Sequence, residues 1–237
     1  MRQDSAWKEI LETNFSEFLA FFFPGVHGAI DWRKGFEFLN QELRRLTPLG
    51  VQGGGAVDKL VKVYLRGGRT AWIFIHVEVQ GYRRRNLEED LFRYNVHIWE
   101  RHRRHVVTLA ILTKRVASYT PAVYCRSGLG CEVTFSFPYR RMAAFRGRRD
   151  RLLRSRNPFA LVVLAHLEAE EARTGRGRLE AKLRLAGLLR GRGYNDMDRK
   201  GLLRFFDWLI ELPPRLEVEF ESKGPSKNNS VNPLICR

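Results

Sequence analysis

The chain has 237 residues, of which 44% are hydrophobic and 29% are charged. This length suits one domain with an appendage, and this composition excludes collagen-like and wholly disordered proteins. Lysine and arginine number 42 against 26 aspartates and glutamates, so the formal net charge is +16. A charge of that size indicates a polyanionic partner, either nucleic acid or an anionic membrane surface, without choosing between them.

Two helices are predicted near the start of the chain. Apolar residues over Trp7–Phe23 recur at the i, i+3, i+4 spacing of an amphipathic helix, which Pro24 and Gly25 are expected to end. The same spacing over Phe36–Leu46 predicts a second helix. The glycine run Gly53–Gly55 then indicates a flexible loop.

Strands and one helix follow this loop. The β-branched and aromatic runs Val57–Leu65 and Thr70–Gln80 are joined by a Gly-Gly turn, which predicts a β-hairpin. The second run is apolar on both faces until its end, as is typical of a central strand. A helix beginning near Asn86 and buried strands over Val106–Leu112 and Cys131–Phe137 complete a predicted α/β domain.

The last third of the chain has a different character. The segment Arg140–Arg156 contains eight arginines and one aspartate. Helical spacing then predicts helices over Pro158–Arg173, Leu179–Leu189 and Asp198–Leu212. The longest apolar runs, Phe18–Phe23 and Phe159–Ala165, are far shorter than the roughly 20 residues of a membrane-spanning helix. With no apolar stretch typical of a signal peptide at its start, the protein is expected in the cytoplasm, away from membranes.

Acidic side chains occur on both strands of the predicted hairpin. Alternation places Glu78 and Gln80 on one strand face. A turn centred on Gly68 places Asp58 directly opposite Glu78, with β-carbons about 4.5–5.5 Å apart. A turn centred half a residue earlier places Asp58 opposite Val77 and on the other face. Acidic residues at strand ends are ordinarily just solvated, but two carboxylates this close favour a shared hard cation, which prefers oxygen ligands.

Four segments of the sequence carry a family resemblance: Val57–Val63, Ile75–Gly81, Phe92–Asn95 and Ile98–Arg101. Together they resemble the PD-(D/E)XK nuclease superfamily and, within it, the recombination-promoting nuclease, or YhgA-like putative transposase, family. The resemblance covers roughly residues 5–215. It implies a restriction-endonuclease-like α/β fold, with a mixed central β-sheet flanked by helices and a helical C-terminal extension. The implied activity is a DNA endonuclease that uses Mg²⁺, with Mn²⁺ as a substitute, on double-stranded DNA.

The resemblance also implies roles for individual residues. Asp58 and Glu78 match the catalytic acidic metal ligands, and the backbone carbonyl of Val79 matches a further ligand. Glu42 is a candidate outer ligand. Gln80 stands where the superfamily has a catalytic lysine, and glutamine can orient a water but brings no positive charge. The alternative interpretation is therefore a catalytically weak or inactive DNA-binding relative of the same fold.

Arginine clusters are the predicted contacts to DNA phosphates. The candidates are Arg83, Arg84, Arg85, Arg93, Arg148, Arg149 and Arg151. Contacts of this kind give affinity and salt dependence but little sequence specificity. A structural protein that uses its arginines on anionic lipid is a third interpretation. It is disfavoured because the chain before its C-terminal helices has no long apolar stretch with a basic face.

Three parts are predicted along the chain. Residues 1–150 are expected to form the nuclease-like core and residues 151–216 a helical subdomain. Residues 217–237, which end in a stretch with little apolar content, are expected to be disordered. The sequence leaves open whether the protein acts as a homodimer.

Overall fold

The computed structural model describes residues 5–41, 43, 56–78, 87–113 and 123–224. The chain divides into two compact units, Met1–Arg148 and Arg149–Arg237. The division falls inside the arginine-rich segment. No helix in these described ranges combines the length and the apolar character that crossing a membrane requires.

Three short helices open the first unit: α1 (Ser5–Thr13), α2 (Phe15–Phe22) and α3 (Pro24–Ala29). The single helix predicted over Trp7–Phe23 is therefore divided at Asn14. Pro24 begins a helix instead of only ending one. A first-turn proline fits because the N–H that it lacks has no partner within a helix at that position.

The helix predicted over Phe36–Leu46 was wrong at its start, where the chain forms strand β1 (Phe36–Phe38) beside β2 (Ala56–Tyr64). Gly35 precedes β1 with φ +71°, a left-handed conformation that glycine adopts readily and that separates β1 from the preceding turn. Both phenylalanines of β1 lie against Phe15 of α2, at centroid distances of 4.8 and 5.7 Å. Phe36 and Phe38 therefore share one face of a strand, whereas Leu43, farther along the predicted segment, is helical.

The central sheet is mixed and runs β1-β2-β3-β4-β7, with β3 at Thr70–Glu78, β4 at Val106–Leu112 and β7 at Tyr139–Arg141. Its first three strands are antiparallel, whereas β4 is parallel to β3 and β7 is parallel to β4. Helix α4 (Leu87–His102) connects β3 to β4, as a parallel pair requires a crossover. The predicted α/β class is confirmed.

Strand β6 (Cys131–Phe135) lies within the predicted Cys131–Phe137 strand but does not enter this sheet, so the prediction that this strand is buried was wrong. It pairs with β5 (Tyr124–Gly128) in a separate two-stranded sheet. Most side chains of this β5–β6 hairpin are exposed to solvent. Its base is held by Tyr124 and Phe135, whose rings contact the ring of Phe92 on α4.

The sheet buries apolar side chains on both faces. Side chains on the face covered by α4, called the α4 face below, pack in one cluster with side chains of the helix. The cluster includes Leu60, Trp72, Phe74, Leu91, Tyr94, Ile98, Val106 and Ala110. The alternate positions on the opposite face bury Val61, Val63, Ile73, Ile75 and Val77. Burial on both faces explains why β3 is almost continuously apolar.

Lys59 is a buried cation on the opposite face of β2. Its Nζ donates to Glu12 of α1 and lies 3.3 Å from Oδ1 of Asn40 and 5.7 Å from the Phe38 ring. Burial raises the pKa of Glu12, but hydrogen bonds from Lys59 and Asn40 and the Lys59 charge outweigh burial and lower it. These contacts fix β2 to α1 and direct Lys59 away from the α4 face.

The second unit is helical: α5 (Arg149–Arg154), α6 (Pro158–Glu171), α7 (Gly175–Arg190), α8 (Asp196–Leu209) and α9 (Pro214–Lys223). The side chains of Asn157, Thr174 and Asn195 accept hydrogen bonds from backbone N–H groups at the starts of α6, α7 and α8. Such caps satisfy donors that lack partners within the helix. The predicted helical extension is thus present.

The disordered tail predicted over residues 217–237 was wrong at its start, because α9 continues to Lys223. Phe220 is buried in a small cluster with Leu179 of α7, so this segment has an apolar contact that its charged composition concealed. Residues 225–237 lie outside the described residues.

Lys182 of α7 is expected to stabilise the second unit. Its side chain is 1% exposed, and its Nζ lies 3.0 Å from carboxylate oxygens of both Asp207 and Glu217 and 4.6 Å from the Phe220 ring. Lys182→Met should lower the free energy of unfolding by about 2 kcal/mol, because two charge-assisted hydrogen bonds disappear while the apolar stem remains. Urea unfolding would measure this. Equal stability of Lys182→Met and the exposed control Lys200→Met would contradict it.

His166 of α6 should make stability depend on pH. Burial lowers its pKa from 6.5 to about 3. Below about pH 6.5 the unfolded chain binds a proton at His166 that the folded chain does not bind until about pH 3. Stability should therefore fall with decreasing pH in this window, at up to about 1.4 kcal/mol per pH unit from this group. Urea titrations between pH 7 and 4 should give a shallower dependence for His166→Leu, and parallel curves would disprove the effect.

Candidate functional site

Asp58 lies on the α4 face of β2, directly opposite His76 of β3. The Asp58 side chain is 25% exposed, whereas that of His76 is 1% exposed, and Oδ1 of Asp58 lies 2.7 Å from Nδ1 of His76. An ionised carboxylate only accepts hydrogen bonds, so Nδ1 is the donor to an ionised Asp58. This bond fixes the carboxylate and leaves acceptor capacity for a further ligand.

The register of the hairpin differs from both predicted registers. Asp58 is opposite His76, not Glu78 or Val77, and Glu78 is opposite Ala56. The pairing is centred on Gly67, one residue earlier than the first prediction, because hydrogen bonds from Leu65 N to Arg69 O and from Gly68 N to Leu65 O close the turn. Moving the centre by one full residue shifts the pairing by two.

A two-residue shift preserves the face of the sheet. Asp58 and position 78 are therefore diagonal neighbours on the α4 face, with α-carbons about 7–8 Å apart, within reach of long side chains. Position 78 is the last residue of β3 and also pairs with Leu112 of β4. The backbone thus brings the two predicted acidic positions to the same face at the same end of the hairpin.

Several predicted site residues lie outside the described residues: Glu42, Val79, Gln80, Arg83, Arg84 and Arg85. Over the described ranges, no three His, Cys, Asp or Glu side chains form a group suited to a metal ion. Among the described residues, the group at this site that can bind a cation is the Asp58 carboxylate. Its oxygens fit a hard divalent cation such as Mg²⁺, which takes carboxylate and water ligands.

Helix α4 contains two of the four segments that resemble the nuclease family, and it packs on the sheet. Tyr94 is buried and stacks on Phe74 at a centroid distance of 5.1 Å, so it packs beneath the helix. Nδ2 of Asn95 donates to the backbone oxygen of Val106 at 3.1 Å and to Oγ1 of Thr108 at 3.0 Å. Arg93 faces solvent on the same helix. Tyr94 and Asn95 position α4, and Arg93 remains a candidate for phosphate contact.

The predicted arginine contacts near the unit boundary have different environments. Arg148 and Arg151 are exposed. Arg149 instead donates from Nη1 to Glu168 at 3.1 Å and from Nη2 to Glu171 at 2.5 Å. Because two carboxylates already balance its charge, Arg149 is the weakest of these three candidates for binding a phosphate.

Sequence reasoning missed the Asp58–His76 bond and the bonds of Asn95. Strand alternation puts His76 on the same face as Glu78, but the residue opposite His76 depends on the register of the hairpin. Comparisons of the chain with protein-family models, curated proteins and solved structures give no match.

Proposed function

We propose that the protein is a divalent-cation-dependent DNA endonuclease in which Asp58 and Glu78 bind the cation. The observation that carries this proposal is the placement of positions 58 and 78 as diagonal neighbours on one sheet face, with Asp58 held by buried His76. A partly exposed carboxylate braced by a buried histidine is more ordered than an ordinary solvated side chain. The formal net charge of +16 supports a polyanionic substrate.

The topology supports the restriction-endonuclease-like fold that the family resemblance implies. Three antiparallel strands lead through helix α4 to a parallel fourth strand, and the described parts of the four resembling segments fall on β2, β3 and α4. Asp58 and Glu78 lie on the two adjacent strands of the hairpin, as the nuclease motif requires.

Each residue of the site has a separate task in this proposal. Asp58 contributes carboxylate oxygens, and His76 keeps that carboxylate in one orientation by donating from Nδ1. A residue that hydrogen-bonds a metal ligand in this way orients that ligand and raises the affinity of the site for the metal. Gln80 would hydrogen-bond the attacking water. A bound divalent cation supplies Lewis acidity and lowers the pKa of a coordinated water.

One observation favours the second candidate, a DNA-binding relative with little or no activity. Gln80 occupies the position of the motif lysine, and Lys59, next to Asp58 in the chain, is bound to Glu12 on the other face of β2. Lys59 is thus not available in this fold to replace the missing charge. The absence of a lysine at position 80 should slow cleavage, since general acid–base groups typically raise the reaction rate 10²–10⁴-fold.

A plasmid assay separates the two candidates. We expect the purified 237-residue chain to nick or linearise supercoiled DNA with Mg²⁺ or Mn²⁺, and cleavage to stop when EDTA is added. DNA binding measured in the same buffers should persist in EDTA. Binding without any metal-dependent cleavage would reject the endonuclease and leave the DNA-binding relative.

Arg148 and Arg151 should contribute to the salt dependence of DNA binding. Replacing both with glutamine is expected to reduce the slope of log K against log salt concentration by about 2, since each phosphate contact contributes about 0.9. Fluorescence anisotropy at several salt concentrations measures the slope. The matched control replaces the exposed Arg126 and Arg190. An unchanged slope in the first variant, or an equal reduction in the control, would contradict the assignment.

A further inference from the structure

A cavity of about 480 Å³ lies on the α4 face of the sheet, at the other end of the hairpin from Asp58. It is lined by Lys62 and Trp72, which are directly paired across β2 and β3. Lys62 is four residues from Asp58, about 13 Å along the strand. Leu60 and Phe74 lie between the two places and are fully buried. The cavity is therefore separate from the site around Asp58, and its volume is in the usual range for a small-molecule pocket.

Aromatic rings form two sides of this cavity. The Trp72 ring lies 4.5 Å from the ring of His102 at the end of α4, and both line the cavity. Tyr64 lines it from β2, with Nζ of Lys62 5.7 Å and Nζ of Lys34 6.0 Å from its ring centroid. The Tyr64 and Trp72 rings can stack on a planar ligand, and the two lysines beside Tyr64 attract an anionic one.

The charge of the lining favours an anion. Two of the lining residues, Lys62 and Arg104, are cationic, and Glu37 is acidic. Glu37 lies 3.7 Å from Lys62, but its side chain is 64% exposed, so the pair is open to solvent. Arg104 is also exposed. A guanidinium presents parallel N–H donors to two phosphate oxygens in a fixed geometry, whereas an ammonium acts as a point charge.

We infer that this cavity binds a nucleotide, with the base against the Tyr64 and Trp72 rings and the phosphate between Lys62 and Arg104. The nucleotide is either free in solution or the unpaired end of a nucleic acid, which present the same base and phosphate. This binding does not depend on the endonuclease proposal, because it uses neither Asp58 nor a metal ion.

Calorimetric titration of the 237-residue chain with dAMP, in EDTA to remove metal ions, tests the inference. We expect saturable binding of dAMP and weaker binding of deoxyadenosine and of inorganic phosphate, since each lacks half of the ligand. Lys62→Gln and Arg104→Gln should each weaken dAMP binding about tenfold. The matched control Arg126→Gln should not change it. Tyr64→Leu should weaken dAMP binding, whereas Tyr64→Phe should keep the affinity of the unmodified protein because the stacking ring remains.

Two measurements keep the result independent of how these variants fold. Glu37→Gln should tighten dAMP binding, because it removes the acidic side chain beside Lys62. In the unmodified protein, dAMP should shift the indole NMR signal of Trp72 and leave that of Trp99, half-exposed on α4 and absent from the cavity lining, in place. A 5′-phosphorylated tetranucleotide that binds more tightly than dAMP would identify a nucleic-acid end as the ligand, and the reverse order a free nucleotide.

Several outcomes would overturn the inference. One is that neither dAMP nor the tetranucleotide binds saturably. Others are equal dAMP affinity in Arg104→Gln and Arg126→Gln, and weaker dAMP binding in Glu37→Gln than in the unmodified protein. The last is a Trp72 indole signal that does not move when dAMP is added.

Discussion

Asp58→Asn is expected to reduce Mg²⁺-dependent DNA cleavage about 10³-fold, which corresponds to the several kcal/mol that a catalytic cation contributes. Asparagine keeps the shape of the side chain and an oxygen that can accept from Nδ1 of His76. The fold should therefore persist while the negative charge that attracts the cation is lost. DNA binding should be unchanged or slightly stronger, because one repulsive charge has been removed.

The matched control for this variant is Asp150→Asn, which removes an exposed carboxylate of the second unit. It should cleave DNA at the rate of the unmodified protein. Glu78→Gln should lose cleavage to the same extent as Asp58→Asn. A cleavage rate within tenfold of the unmodified protein in Asp58→Asn would show that Asp58 does not bind the catalytic cation.

His76→Leu is expected to raise the Mg²⁺ concentration needed for half-maximal cleavage by 10–100-fold, the usual effect of losing a residue that orients a metal ligand. His76 does not reach the substrate in this proposal. It acts through the 2.7 Å bond to Asp58, which leucine cannot form. His76→Asn should recover part of the affinity, because its amide nitrogen occupies a place similar to that of Nδ1.

The metal dependence distinguishes this positioning role from a purely structural one. If His76 only filled the core, both variants would lose activity in proportion to their unfolded fraction, and the Mg²⁺ midpoint of the folded fraction would not move. Thermal unfolding measured alongside cleavage gives that fraction. His97→Leu, on the partly exposed surface of α4, is the control and should leave the midpoint unchanged.

The elements with strong local signals could be predicted from the sequence. The bounds predicted for β2, β3 and β4 agree with the structure within two residues, because β-branched runs, a Gly-Gly turn and burial on both faces all favour strands. Helix α4 was also predicted, from its regular apolar spacing. These signals were sufficient to assign the α/β class and to locate Asp58 and Glu78 on adjacent strands.

Other features depend on contacts between distant parts of the chain. Strand β1 was predicted as helix because the partner of its two phenylalanines, Phe15, is far away in sequence. Strand β7 overlaps the start of the arginine-rich segment, and α9 is held by Phe220 and the Lys182–Glu217 ion pair. A polar or charged composition therefore concealed elements that tertiary contacts stabilise.

The candidate site shows the same limit on a smaller scale. Its residues could be named from the sequence, but their pairing depended on where the turn is centred. The predicted contact of Asp58 with Glu78 became a contact with His76, because the pairing moved by two residues. An even shift kept both acidic positions on the α4 face, so the hypothesis of a shared cation survives with a different geometry.

In the proposed function, Asp58 and Glu78 together hold the cation used for cleavage. Anomalous diffraction from crystals of the 237-residue chain in Mn²⁺ would locate this cation, since Mn²⁺ has the ligand preferences of Mg²⁺ and a usable anomalous signal. We expect one strong peak within coordination distance of the Asp58 and Glu78 carboxylates, and its loss in Asp58→Asn. Crystals without a peak at Asp58, or with the same peak in Asp58→Asn, would contradict the claim.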